Sequence, residues 1–201
     1  MSITRESESL SRAPSLAEGS TSARGSEMAF SVGASNHVGI YQRYLGIDPG
    51  LNRTGYALIE RRPKGPHLLE GGILRSAQKN TLQQRVLEIV RGLREVLEEL
   101  NPEAVAIEQV FSHVQNPKTA LLMAHARGAI LLTLAEAEIP TVHYTPTQIK
   151  RLLTGSGKAP KEQIQHAVKA ELRLETIPEP NDVADASAIA LCLYHSVRFA
   201  A

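Results

Sequence analysis

Short apolar runs alternate with longer segments of helical periodicity through most of this chain of 201 residues. The strand-like runs lie at residues 44–47, 55–60, 67–74, 104–107 and 141–144. The helical segments lie at residues 82–100 and 118–136, in a short stretch that ends near Leu153, and at 161–172 and 182–195. Three strands in succession favour antiparallel neighbours, whereas strands separated by helices favour parallel ones. The pattern therefore predicts an α/β fold, a mixed five-stranded sheet with helices on both faces.

Residues 1–43 differ in composition from the rest of the chain. They contain ten of the fifteen serines and no aspartate, and their four arginines are balanced by four glutamates. A segment so rich in Ser, Gly and Ala buries too little apolar surface to offset the entropy that is lost on ordering. We therefore predict a disordered Ser-rich N-terminal extension at 1–43 and a folded domain at 44–201.

Several classes of protein are excluded by composition. No apolar run approaches the ~20 residues of a membrane-spanning helix, so an integral membrane protein is not expected. The single cysteine, Cys192, excludes a disulfide within the chain and fits a reducing compartment. The seven histidines lack the paired spacing of a zinc site. These features predict a cytoplasmic protein.

The formal net charge of +1 argues by itself against a nucleic-acid partner, but the charges are unevenly distributed. Residues 141–170 contain five basic residues and one acid, whereas residues 84–108 contain three arginines and six glutamates. A local basic stripe is what binding to a phosphate backbone requires. Lys150, Lys158 and Lys161 are therefore candidate DNA contacts.

Only three of the 21 acidic residues are aspartates, and all three stand where an active site can form. Asp48 and Glu108 each follow an apolar strand, and ligands of open α/β sheets bind at the carboxyl ends of strands. Asp182 and Asp185 are three residues apart at the start of an otherwise apolar helix, so they share one face. Taken singly, each acid has an ordinary alternative as a turn residue, a strand-end acid or a helix cap. These alternatives do not explain why every aspartate falls into one pattern.

Clustered carboxylates are the ligands that hard divalent cations prefer. Two such ions roughly 3.5–4 Å apart hold the attacking and leaving oxygens of a phosphodiester in line. Without a metal, carboxylates at close range repel one another, and some of them stay protonated. We therefore predict a site for two Mg²⁺ ions, with Mn²⁺ as an alternative, formed by Asp48, Glu108, Asp182 and Asp185.

Three motifs resemble those of one known family of nucleases. The sequence LGIDPG at residues 45–50, followed by TGY at 54–56, resembles the opening of the RuvC family of Holliday junction resolvases. AIEQVF at residues 106–111 resembles the second motif of that family, and DVADA at 182–186 resembles the third. The resemblance covers the predicted folded part of the chain.

The resemblance implies a ribonuclease-H-like fold in which the four acids named above are catalytic and coordinate Mg²⁺ or Mn²⁺. Some members of the family have His in place of Asp182, so this position is less strict than the other three. Lys150 and Lys161 correspond to lysines that contact DNA in the family. Phe111 corresponds to an aromatic residue near the bases at the strand crossing, where it could stack on an unpaired base; burial in the core is its alternative.

We therefore expect a metal-dependent, structure-selective endodeoxyribonuclease that resolves Holliday junctions by paired symmetric nicks during recombination and DNA repair. Asp48 is expected to contact both metal ions, Glu108 and Asp185 one each, and Asp182 to act as a ligand or as a nearby base. Because a four-way junction has two-fold symmetry, paired cuts call for a homodimer. The resemblance also implies cooperation with the RuvA–RuvB branch-migration complex.

Two other functions fit parts of the sequence. Asp48 and Gly50, with Thr54 nearby, resemble the phosphate-binding turn of actin-like and sugar-kinase ATPases. Those proteins enclose the nucleotide between two such domains, however, and this chain supplies one. A nucleic-acid-binding module that has lost its chemistry would not need four intact carboxylates. Both therefore rank below the nuclease.

Overall fold

The structure is a computed structural model that describes residues 41–109 and 117–199. Its strands are β1 (Arg43–Asp48), β2 (Arg53–Arg62), β3 (Gly65–Arg75), β4 (Ala104–Glu108) and β5 (Thr141–Tyr144). Its helices are α1 (Leu82–Leu100), α2 (Pro117–Glu136), α3 (Pro146–Thr154), α4 (Lys161–Glu171) and α5 (Asn181–Phe199). Every predicted element is present. Of the disordered extension predicted at 1–43, residues 1–40 lie outside the described residues, so this part stays a prediction. Arg43, however, is already the first residue of β1, so the folded part begins before the predicted residue 44.

The five strands form one mixed sheet, as the alternation of strands and helices predicts. Their order in the sheet is β3-β2-β1-β4-β5. β2 pairs antiparallel with both β1 and β3, while β4 pairs parallel with both β1 and β5. β2 and β3 are longer than the apolar runs at residues 55–60 and 67–74 that predicted them, because backbone pairing continues to Arg62 and Gly65 at the tip of the hairpin. The parallel pair at the centre brings the carboxyl ends of β1 and β4 to the same edge of the sheet.

Helices cover both faces of the sheet, and side chains that alternate along the strands separate two apolar cores. Leu45 and Ile47 of β1 pack with α1 and α2, whereas Tyr44 packs with α3, α4 and α5 on the opposite face. β4 alternates in the same way. Side chains two residues apart along a strand lie on the same face of the sheet. Asp48 therefore shares the face of Tyr44, and Glu108 shares the face of Ala104 and Ala106, which is the face covered by α5.

Helix α5 lies unusually close to the sheet because glycines face it on three neighbouring strands. A Cβ atom on Gly46 of β1 would stand 2.1 Å from the Ala186 carbonyl oxygen. A Cβ atom on Gly55 of β2 would stand 2.3 Å from the Asp182 carbonyl oxygen, and one on Gly71 of β3 would stand 2.5 Å from a methyl group of Val183. We call Gly46, Gly55 and Gly71 the glycine trough. It fixes the height of the first turns of α5 above the sheet.

Hydrogen bonds of neighbouring side chains mark where α1 and α3 begin, and a glycine marks where α3 ends. Thr81 accepts a hydrogen bond from the Gln84 N–H, and the Gln84 side chain accepts one from the Thr81 N–H, which together form a capping box at the start of α1. Thr145 and Gln148 form the same reciprocal pair at the start of α3. Gly155 ends α3 with φ = 76°, a conformation that favours glycine.

No helix in the described part of the chain combines the length and the apolar character that a bilayer-spanning segment requires.

The glycine trough predicts that Gly46→Ala destabilises the fold. The added methyl group must displace backbone atoms of α5, so we expect the free energy of unfolding to fall by about 3 kcal/mol. Urea denaturation followed by circular dichroism measures this change. Gly92→Ala is the matched control, because a methyl group on this α1 residue meets only side-chain atoms of Leu74, the nearest at 3.1 Å, and the gain in helix propensity of about 1 kcal/mol offsets that contact. Equal denaturation midpoints for Gly46→Ala and the wild type would refute the close contact.

Candidate active site

Two of the predicted site residues end neighbouring strands. Ile47 of β1 lies opposite Ile107 of β4 in the parallel register, so the next residues, Asp48 and Glu108, lie side by side at the edge of the sheet. This is the carboxyl edge, where open α/β sheets bind their ligands. The sequence prediction that these two acids converge is therefore consistent with the register.

The turn after Asp48 is closed by Thr54. The buried Thr54 hydroxyl donates to the Gly50 carbonyl oxygen at 2.7 Å, and the Gly50 N–H donates back to the same hydroxyl at 3.3 Å. Gly55 then pairs with Asp48 across β1 and β2 and leaves room for α5. In the TGY sequence, the threonine thus shapes the turn and the glycine admits the helix.

The first turn of α5 carries the other two acids, and each contacts a cation from a different element. Asp182 Oδ2 lies 2.7 Å from Nη2 of Arg53, at the start of β2. Asp185 Oδ2 lies 2.7 Å from Nζ of Lys161, at the start of α4. These pairs join α5 to the sheet on one side and to α4 on the other.

Burial and mutual repulsion perturb the two strand-end carboxylates. Burial raises the pKa of Asp48 to about 7, and the negative charges of Glu108, Asp185 and Asp182 add to the effect while Lys161 opposes it. Burial likewise raises the pKa of Glu108 to about 7, helped by the charge of Asp185. Since Asp48 is affected by all three other acids, it occupies the centre of the cluster.

The donor set suits hard divalent cations. All four side chains offer carboxylate oxygens, the ligands of Mg²⁺, and a bound cation would remove the repulsion that raises the pKa of Asp48. Within residues 41–109 and 117–199, no three His, Cys, Asp or Glu side chains form a ready-made metal cage. Two of the four carboxylates instead contact Arg53 and Lys161.

Two predicted DNA-contacting lysines border the acids. Lys150 and Lys161 line a cleft of about 270 Å³ together with Glu108 and Asp185. Its apolar walls are Pro146, Ile149, Ile164, Ala188 and Ile189. Both lysines lower the pKa of Glu108 against the effect of burial, which places their charges close to it. The cleft thus combines the carboxylates of Glu108 and Asp185 with the positive charges of two lysines.

Of the other two predicted DNA contacts, the structure describes Lys158 alone. Lys158 is exposed in the loop between α3 and α4, where its N–H donates to the Ser156 hydroxyl at 3.3 Å. It is not among the residues that line the cleft. Phe111 lies outside the described residues, so its predicted stacking on DNA stays a prediction.

The sequence motifs gave no role to two arginines of the site. Arg53 contacts Asp182, and Arg127 of α2 donates from Nε to the Glu108 carbonyl oxygen at 3.2 Å. Arg53 directly precedes the TGY sequence, but no sequence pattern connects it to Asp182, which lies far away along the chain. Arg127 lies in the sequence Ala126-Arg127-Gly128, which does not indicate where the arginine side chain points.

Comparison with known proteins gives one consistent result. The family model described as Crossover junction endodeoxyribonuclease RuvC matches residues 44–193. A protein of that description from Rhodopirellula baltica is 53% identical over 150 residues, which cover 74% of this chain and 83% of the relative.

Two solved structures are similar to this chain. The structure of Thermus thermophilus RuvC has a TM-score of 0.72 and 34% identity, with 79% of this chain and 96% of that chain covered. The structure of T. thermophilus RuvC in complex with Holliday junction substrate has a TM-score of 0.69 and 31% identity, covering 77% and 94%. These matches confirm the predicted ribonuclease-H-like α/β fold.

The raised pKa of Asp48 predicts that this carboxylate destabilises the metal-free protein. Because the folded-state pKa, about 7, exceeds the ordinary 3.8, the folded state binds the extra proton between these values, and stability falls as pH rises through that window. Asp48→Asn should therefore raise the free energy of unfolding by ~2 kcal/mol at pH 8 and change it little below pH 4.

Thermal denaturation in a metal chelator at a series of pH values measures this difference. Glu95→Gln, which removes an exposed carboxylate of α1, is the control and should show no comparable gain. A variant Asp48→Asn that is no more stable than the wild type at pH 8 would contradict the buried, repelled carboxylate.

Proposed function

The chain belongs to the RuvC family of crossover junction endodeoxyribonucleases, and on this basis we propose that Asp48, Glu108, Asp182 and Asp185 are its catalytic residues. It is an endodeoxyribonuclease that resolves Holliday junctions in DNA recombination and repair. One observation carries the assignment of the site. The adjacent parallel strands β1 and β4 end in two acids whose pKa values respond to the acids of α5.

The family depends on divalent metal ions, and we infer two Mg²⁺ ions per active site, with Mn²⁺ as an alternative. When bound, such ions activate the attacking water and stabilise the charge on the leaving oxygen. Asp48 suits a ligand shared by both ions because it is central to the cluster. Glu108 and Asp185 flank it and suit one ion each.

Asp182 differs from Asp185 in the cation that it contacts. It raises the pKa of Asp48, and its own carboxylate contacts Arg53 of β2 instead of a lysine of the cleft. This placement fits a metal ligand or a base beside the metal, with a smaller share in catalysis than Asp48. It also agrees with the less strict identity of this position in the family.

Lys150 and Lys161 suit contacts with the phosphates next to the cleaved bond, since their charges border the acids. An anionic backbone is attracted to these lysines, whereas the carboxylates alone would repel it. Lys158 suits a contact further along the same strand, and Phe111 a contact with bases at the crossing. The lysine pair therefore positions DNA, while the acids do the chemistry.

An exposed apolar stripe on α2 suits the proposed homodimer. The stripe consists of residues three or four apart on one side of the helix, Leu121, Ala124, Gly128, Leu132 and Ala135. Leu121 is 63% exposed and Leu132 is 61% exposed, which is unusual for large aliphatic side chains. The small residues between them would allow a second copy of α2 to approach closely. A second subunit on this stripe would give the two-fold symmetry that paired cuts require.

The RuvA–RuvB branch-migration complex is proposed on the resemblance alone, whereas a cytoplasmic location is proposed on composition, above all on the single cysteine. Cys192 itself is buried in the structure. Burial raises the pKa of its thiol to about 12, so it acts as a small core residue in α5.

The ATPase alternative gains no support from the turn after Asp48. Its Gly50 N–H and its Thr54 hydroxyl, which would face a phosphate in such an enzyme, bond to each other within the turn.

The proposed catalytic site is tested with a synthetic four-way junction and a linear duplex of the same sequence, with and without Mg²⁺. The wild type should nick the junction symmetrically and only with metal. Asp48→Asn should abolish cleavage, because it removes the central ligand, and should leave junction binding in a mobility-shift assay intact. Asp182→Asn should slow cleavage by roughly 10–100-fold. Cleavage by Asp48→Asn at the wild-type rate would show that the acids are wrongly assigned.

The proposed dimer face is tested by Leu132→Glu. A charge in the middle of the stripe must be desolvated on association, so we expect this variant to be monomeric in light scattering after size exclusion and to lose paired cutting. Leu69→Glu is the matched control, because Leu69 is 42% exposed on β3, away from α2. A wild-type protein that is monomeric, or a Leu132→Glu variant that remains dimeric, would reject this face.

A further inference from the structure

We propose that Arg127 is a positioning residue for the catalytic carboxylate of Glu108, an inference that rests on the catalytic role proposed above for Glu108. Arg127 lies on α2, and its guanidinium group reaches the carboxyl ends of two neighbouring strands. It acts on the main chain of β4 and thereby determines where the carboxylate stands.

Glu108 is the last residue of β4, and its support from the sheet is one-sided. Pairing with β1 ends one residue earlier, at Ile47 and Ile107. On the other side, the pairing with β5 continues through Tyr144, whose carbonyl oxygen accepts from the Gln109 N–H at 2.8 Å. The Glu108 carbonyl accepts a hydrogen bond from Nε of Arg127 at 3.2 Å. The arginine therefore adds a bond at the residue where the ladder to β1 stops.

The same guanidinium group also holds β5. Its Nη2 donates to Nδ1 of His143 at 2.6 Å, and His143 lies opposite Ile107 in the register of β4 and β5. Burial and the charge of Arg127 lower the pKa of His143, which keeps its Nδ1 available as an acceptor. Because a guanidinium group is planar and rigid, its two bonds fix the ends of both strands relative to α2.

Arg127 approaches from the face of the sheet opposite the acids. Its neighbours Ala126 and Ile130 pack in the core formed with α1, whereas the acids lie on the side of α5. The cations whose charges act on the Glu108 carboxylate are Lys150 and Lys161. Arg127 thus influences the carboxylate through the position of the backbone, and its role differs from that of the two lysines.

The test compares Arg127→Met with Arg94→Met in the full chain. Both substitutions remove a guanidinium group from the α1–α2 side, but Arg94 pairs with Glu136 of α2 at the surface and does not reach the acids. Single-turnover cleavage of a four-way junction, the Mn²⁺ concentration for half-maximal thermal stabilisation, and junction affinity in chelator are measured for each.

For Arg127→Met we expect cleavage to slow by roughly 10–100-fold and the half-maximal Mn²⁺ concentration to rise by roughly 10-fold, with junction affinity unchanged within about two-fold. Arg94→Met should match the wild type within about two-fold in all three. Arg127→Lys keeps the charge but replaces the two-point fork with one ammonium group, so it should regain only part of the rate. If Arg127→Met does not fold, Arg127→Lys decides by the same three measurements.

Several outcomes would overturn the role of Arg127. Wild-type cleavage and wild-type Mn²⁺ dependence in a folded Arg127→Met variant would do so, as would equal losses in Arg127→Met and Arg94→Met. If Arg127→Lys is the deciding variant, a wild-type rate would do so too. Failure of the proposed function looks different, because the wild type itself would then leave the junction uncut.

Discussion

Repulsion among buried carboxylates is the constraint that the rest of this structure has to meet. Asp48 and Glu108 are acids at the end of a buried sheet. Their raised pKa values reflect the free energy that is needed to keep them ionised in this environment. A fold selected for stability alone would place amides or apolar residues at these positions. The chain retains the acids, and the surrounding structure holds them in register against their mutual repulsion.

Three features meet this constraint. The parallel pairing of β1 and β4 fixes two acids from below, and the glycine trough brings the first turn of α5 close above them. Cations complete the arrangement, with Arg53 against Asp182 and Lys161 against Asp185. These ion pairs are partly exposed and individually weak, so they orient the acids more than they stabilise the fold. Core packing on both faces of the sheet provides the stability.

The sequence predicts the parts of this molecule that depend on local patterns. The apolar periodicity and the cap at Thr81 define α1 to the residue, and the position of acids after apolar strands indicates the candidate site. What it could not predict are contacts between distant segments, such as Arg53 with Asp182 and Arg127 with the Glu108 carbonyl. Such contacts depend on side-chain direction after folding. Net charge was misleading for a related reason, because it averages over faces that the fold separates.

The glycine trough also restricts how a protein of this kind can evolve. Glycine is the smallest residue, and α5 packs directly against it at Gly46 and Gly55. A larger residue at either position can therefore be accommodated only by a change elsewhere in the structure. Compensation would have to come from a shift of α5, and such a shift would carry Asp182 and Asp185 away from Asp48. Sequence change is therefore easier to accommodate at the margins of the cleft, where the lysines proposed to contact DNA lie, than beneath the helix. By this packing argument, the residues proposed to hold DNA are freer to change than the residues proposed to cut it.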